Sequence, residues 1–259
     1  MSLTYGRYLK LEELLSLQQP LSDGPEHDEL LFITIHQVYE LWFQQVLHEL
    51  ERLQTVLAAH DTPAALATFK RILTILKLLV AKVDILETMT PISFLSFRSR
   101  LEAASGFESW QFREIEFVLG HRRASTAHHH AGTAAGERLE TRLRQPSLYD
   151  SFLSFLAGHG HAIPPEVLAR DCSQPAPEDA RVRDILVQIY RHDPSARDVC
   201  ERMVDLDEGI QEWRYRHVKM VERTIGTKVG TGGSPGAEYL RRTLFQPLFP
   251  DLWAIRTAL

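Results

Sequence analysis

Two long apolar stripes at helical spacing constrain this chain most. From about Asp28 to His60, residues Phe32, His36, Tyr39, Phe43, Val46 and Leu50 recur three or four positions apart. That interval puts them on one face of a helix. From about Ala196 to Ile225, Leu206, Ile210, Trp213, His217 and Met220 do the same. Each stripe carries a histidine. No segment shows convincing period-two alternation between hairpin turns, so the expected fold is all-α. Another helix is expected from about Pro63 to Thr88, with Leu73, Ile75, Leu76, Leu79 and Val83. Pro91 separates it from one containing Phe94, Phe97, Arg98 and Leu101. Beyond Ser105-Gly106, a further helix runs from about Glu108 to Leu119. The polar stretch from His121 to Gly136 reads as an exposed loop. A weaker helical pair spans about 137–161. Pro164, Pro165, Pro175 and Pro177 bracket loops, and short helices close the chain. With no repeat or composition break, residues 1–259 read as one domain, a helical bundle.

At 259 residues, folding removes roughly 70–75% of the unfolded chain's surface from water, enough to enclose a large cofactor. The net charge is −5, with 29 Lys and Arg against 34 Asp and Glu. No basic block is long enough to track phosphates, so a nucleic-acid partner is not expected. Cys172 and Cys200, the two cysteines, have no metal-site spacing and fit a reducing cytoplasm. The first residues lack the pattern of a signal peptide. The richest apolar stretch, Ile72 to Leu86, is broken by Lys77, Lys82 and Asp84, so no membrane span is expected.

Two readings stand for each stripe histidine. A buried imidazole needs a partner, and a side chain or carbonyl satisfies it in an ordinary core. Alternatively, helix faces opposed across a bundle can hold a haem, with one imidazole on iron and the other side open for oxygen. Arg98, one turn from Phe94, is either a structural ion pair or a carboxylate clamp. The glycine-rich segment from Gly226 to Gly236 follows a helix and lacks nucleotide-binding context. It is a connector, or a loop that closes over a ligand with the Thr231 hydroxyl. His48-Glu49 begins like a zinc-protease helix, but Arg52 stands where the second histidine belongs. His128-His129-His130 lies in the polar stretch and reads as solvated.

Longer motifs carry a resemblance. Phe32-Ile33-Thr34-Ile35-His36-Gln37-Val38-Tyr39-Glu40-Leu41-Trp42 is one. Leu86-Glu87-Thr88-Met89-Thr90-Pro91 with Phe94 and Phe97-Arg98 is the second. Ala104-Ser105-Gly106-Phe107-Glu108-Ser109 with Gln111-Phe112-Arg113 and Glu116 is the third. Trp213-Arg214-Tyr215-Arg216-His217 is the fourth, continuing through Arg223-Thr224-Ile225-Gly226 to Gly230-Thr231-Gly232-Gly233. Tyr5-Gly6-Arg7-Tyr8-Leu9 also matches. Taken in order over nearly the whole chain, these resemble the tryptophan 2,3-dioxygenases, haem-dependent indole oxygenases.

The resemblance implies an all-α bundle enclosing a b-type haem. It implies cleavage of the indole C2–C3 bond of L-tryptophan by O2, giving N-formylkynurenine. His217 would be the axial iron ligand, and His36 would bond the indole N–H on the opposite side. Phe32 would line the indole pocket. Arg98 and Thr231 would take the amino-acid end, beside Phe94. Ser105 and Gly106 would border the oxygen site. Tyr5, Tyr8 and Leu9 would reach a neighbouring subunit, which implies a homo-oligomer, a tetramer as in the family. Phe94, Ala104, Glu108, Trp110 and Phe112 depart from residues common in the family. Ala104, Glu108 and Trp110, which flank Ser105-Gly106, keep open a related monooxygenase acting on a modified indole or other aromatic amino acid. A non-catalytic haem or ligand sensor is the alternative from another class.

Overall fold

The computed structural model describes residues 2–24, 26–102, 104–231 and 236–259. Helices dominate, and there is no strand among the described residues. In chain order they are α1 (Tyr5–Leu9), α2 (Leu11–Leu15), α3 (His27–Ala58), α4 (Thr62–Leu86), α5 (Pro91–Phe97) and α6 (Trp110–Val118). Then come α7 (Ala124–Ala127), α8 (Ala134–Leu143), α9 (Leu148–Gly158), α10 (Pro165–Leu168) and α11 (Ala180–His192). The last are α12 (Pro194–Ile225), α13 (Ala237–Arg241) and α14 (Pro250–Ala254). None is long and apolar enough to cross a membrane among the described residues.

The starts of these helices are written in the sequence. Asp61 accepts from Ala64 N at the head of α4 and Asp193 from Ala196 N at the head of α12, each beside a proline in the first turn. Such caps satisfy N–H groups that have no partner inside the helix. Ser147 and Asp150 form a reciprocal capping box at α9. Helix α4 packs against both α3 and α12 and forms the centre of the bundle. Helix α6 crosses α3, and α9 lies on α3's other end. The Tyr39 hydroxyl donates to the Leu79 carbonyl at 2.8 Å, fixing α3 against α4.

Three local expectations change. The helix expected through Leu101 ends at Phe97 and tightens into a 3₁₀ turn over Arg98–Leu101. The turn redirects the chain at Glu102, whose φ is +47°. The stretch 121–136 is not simply an exposed loop. It holds α7, a 3₁₀ turn over His128–His130 and the start of α8, and Arg122 and Thr126 are buried in it. Arg122 donates to the carbonyls of Arg142 and Gln145, which ties the stretch to the end of α8. Helix α11 was not foreseen. Its buried stripe is only Val182, Leu186 and Ile189, set among charged residues that mask the period.

Candidate active site

One cavity, of about 250 Å³, opens between α3, α5, α6 and α12. Its lining brings together Phe32 and His36 from α3, Phe94 from α5, and Arg98 from the 3₁₀ turn. Ser105 and Gly106 come from the loop before α6, His217 from α12, and Thr231 from the segment after it. Tyr5, Tyr8 and Leu9 are not in this lining. They stand 76%, 72% and 41% exposed on α1, which buries none of its own residues.

The two histidines are held differently. His36 Nδ1 lies 2.7 Å from the Phe32 carbonyl, one turn back on α3. A carbonyl only accepts, so this nitrogen carries the proton and the ring's other nitrogen is an acceptor. Burial lowers the His36 pKa, against the opposing pull of that carbonyl and of Glu40, and favours the neutral form. The Phe32 ring lies 4.1 Å from the imidazole and also touches Phe94 and Phe97.

His217 has no hydrogen bond to either ring nitrogen among the described residues. Its ring stacks on Trp213 at 5.0 Å and 9°. Trp213 is wedged by Phe43 and Phe112. Burial, with the nearby His36 and Arg113, pushes the His217 pKa down to about 4. The result is a neutral imidazole, oriented by a rigid neighbour, with its donor and acceptor atoms uncommitted inside an apolar cavity. That is the donor chemistry a haem iron requires, so the residues present fit the group.

Arg98 Nη2 donates to the Val229 carbonyl, and Thr231 Oγ1 donates to the Ala104 carbonyl at 2.6 Å. Together they bind the segment after α12 to the loop before α6. Gly226, at φ +62°, lets the chain leave α12, and a side chain at Gly236 would come within 2.7 Å of the Lys228 carbonyl. Gly232 and Gly233 lie outside the described residues. Gln111 Nε2 donates to the Glu40 carboxylate at 2.8 Å and to its carbonyl at 3.0 Å, tying α6 to α3 across the cavity's edge.

Of the positions that depart from the family pattern, Phe94, Ala104 and Phe112 line the cavity. Trp110 packs instead on Phe117, Leu139 and Leu143, in a small separate core. Glu108 is exposed and outside the lining.

Sequence reasoning assigned no role to a charged cluster in the same lining. Glu116 is buried and receives Arg113 at 2.5 Å, Arg214 at 3.2 Å and Arg123 at 3.1 Å. Burial would raise its pKa, but these arginines and His121 overcome that and hold it below the ordinary carboxylate value. Its signal was present as Arg113, Glu116 and Arg214, but nothing local shows that they meet.

Fold and cavity define an all-helical protein with an apolar ligand chamber between two neutral histidines. Comparison with known proteins narrows this class. The family model described as tryptophan 2,3-dioxygenase matches residues 1–158 and 166–259. The tryptophan 2,3-dioxygenase of Herpetosiphon aurantiacus is 59% identical over 258 residues, covering 100% of this chain and 99% of that one. That of Anaeromyxobacter sp. is 58% identical over 259 residues, covering 100% and 97%. That of Cupriavidus necator is 42% identical over 262 residues, covering 99% and 88%. This chain belongs to the tryptophan 2,3-dioxygenase family.

Proposed function

We propose that this chain is a haem-dependent dioxygenase that opens the indole C2–C3 bond of L-tryptophan, both atoms of O2 entering N-formylkynurenine. The observation that carries the reading is one shared cavity. It gathers His36, Phe32, Arg98, Ser105, Gly106, His217 and Thr231 from separate stretches of chain. The family membership and full-length identity to named tryptophan 2,3-dioxygenases support it.

His217 would hold the iron of a b-type haem, which supplies the oxygen chemistry when bound. His36, with its proton committed to the Phe32 carbonyl, would accept the indole N–H. Phe32 and Phe94 would flank the indole ring and exclude water. Arg98 and Thr231 would exchange their carbonyl partners for the substrate carboxylate, which is a stronger, charge-assisted acceptor. Ser105 and Gly106 would border the space left for O2. Holding the ring at both ends restricts its orientation, which is the proximity contribution to rate. Residues 1–259 would act as one domain. The chain would work in the cytoplasm as a homotetramer. Tyr5, Tyr8 and Leu9 would cover a neighbour's pocket, a reading supported by an N-terminal helix that buries none of its own residues.

The test is anaerobic titration of the reduced, haem-loaded protein with L-tryptophan, followed by O2 and mass spectrometry. A product heavier by two oxygen atoms is expected. A gain of one atom would move the assignment to a monooxygenase. Haem loading with neither a spectral response to tryptophan nor product would move it to another aromatic substrate. Tight tryptophan binding without turnover would favour a sensor.

A further inference from the structure

We infer that Arg113, Arg123 and Arg214 form the seat of a carboxylate carried by the cavity's occupant, and that this carboxylate is a haem propionate. The inference rests on the haem reading above and assigns residues of this chain to one part of that group.

Charge is the first argument. Three guanidiniums meet one carboxylate, Glu116, in the cavity wall. The side chains of Arg113, Arg214 and Glu116 are 6%, 4% and 4% exposed. Buried charge of one sign is unfavourable without a counter-charge. Among the described residues, Glu116 is the one carboxylate that ion-pairs with Arg113 and Arg214. Burial, first, and the arginines hold His121 near a pKa of about 4, so it is neutral. Asp207, two turns back on α12, is felt by Arg214 only at a distance, and its oxygens accept from Leu248 N, Phe249 N, the Trp253 indole and Gln211.

Unused donors point the same way. Arg113 Nε and Arg214 Nη1 are buried and have no hydrogen-bond partner. An acceptor-poor arginine inside a protein is costly, and both residues line the cavity. A nearby pair of arginines shows the ordinary arrangement. Glu114, two residues from Glu116 on α6, is fully buried against Arg138 and Arg142. Those arginines also reach Glu51, so two acids face two bases there. The Glu114 cluster is balanced, and it does not line the cavity. The Glu116 cluster has a positive excess, and it does.

Position is the third argument. Arg214 lies on α12 less than one turn from His217, so a planar group held by His217 would have its rim near this cluster. The amino-acid carboxylate of the substrate has a separate claimant in Arg98.

The test uses protein loaded either with ferric haem or with its dimethyl ester, in which both propionates are masked. Excess apomyoglobin traps what dissociates, and the Soret band reports the rate. The parent should release the free acid about 10- to 100-fold more slowly than the ester, the range for one charge-assisted hydrogen bond. Arg214→Met should bring the two rates together. Arg123 is a quarter exposed at the cluster's edge, so Arg123→Gln keeps the test open should Arg214→Met not fold. It should shrink the ratio several-fold. Equal rates in the parent, or an unchanged ratio in the folded variants, would overturn the inference while leaving the haem assignment intact. An unchanged ratio with weakened tryptophan binding to the loaded protein would also overturn it, by giving the cluster to the substrate carboxylate. A parent that takes up neither porphyrin would overturn the haem reading and this inference together.

Discussion

His36 and His217 sit on helices of equal length, 32 residues each, and both stand on an apolar stripe facing one cavity. Their settings nevertheless differ. His36 spends a ring nitrogen on the carbonyl one turn behind it. His217 makes no such bond among the described residues and is positioned by the face of Trp213. A hydrogen bond selects one tautomer and leaves one acceptor. A stack fixes the ring plane but leaves the nitrogens uncommitted. The first arrangement suits accepting a proton donor from a ligand, and the second suits binding a metal-bearing group. Helical position alone is the same for both and teaches neither role.

The largest effect that would break this comparison is loss of iron ligation. His217→Ala should lose the parent's Soret spectrum on haem loading, whereas His36→Ala should keep an axial-histidine spectrum. A normal spectrum in His217→Ala would reverse the assignment. Next is Arg98. Removing one partner of a buried charged pair costs about 2–5 kcal/mol, so Arg98→Ala should raise the KM for tryptophan strongly, as steady-state kinetics would read. An unchanged KM would take Arg98 out of carboxylate binding.

A smaller effect isolates the acceptor role of His36. A net hydrogen bond contributes about 0.5–1.5 kcal/mol. The parent should therefore bind tryptophan several-fold more tightly than 1-methyltryptophan, which has no indole N–H. His36→Ala should bind the two nearly alike, and a preserved preference would show that the N–H bonds elsewhere.

An effect on stability alone, outside ligand binding, concerns a third histidine, His121, which shares the neutral state but stands beside the arginine cluster. Burial first, then the arginines against the pull of Glu116, brings its pKa from 6.5 to about 4 in the folded chain. The unfolded chain takes up this proton first, so stability falls as pH drops from about 6.5 towards 4 and is unaffected above that window. His121→Gln should remove part of this slope, on the order of 1–2 kcal/mol at pH 4.5. Denaturant unfolding of parent and variant at pH 7 and pH 4.5 would measure it. Parallel losses in both would assign the slope to other groups.

Much of this arrangement was legible in the chain. The stripes from Phe32 to Leu50 and from Leu206 to Met220 gave the two long helices and put each histidine on an inward face. Pro91 and Pro63 marked helix starts in the sequence, and the structure adds the Asp61 and Asp193 caps at the heads of α4 and α12. Less was legible where apolar content was thin. Helix α11 hides its buried Val182, Leu186 and Ile189 among Arg181, Arg183, Asp184 and Arg191. The buried Arg122 looked like loop polarity, because its partners are backbone carbonyls more than 19 residues away.

By itself the sequence determined the long helices, their faces and the histidines' place on them, because periodicity and capping are short-range and act within a few turns. Only the tertiary structure decided which polar groups meet. Arg214 reaches Glu116 across 98 positions, and Arg98 reaches Val229 across 131. Such pairings depend on how helices pack and which charges that packing removes from water, and no local pattern of residues encodes desolvation.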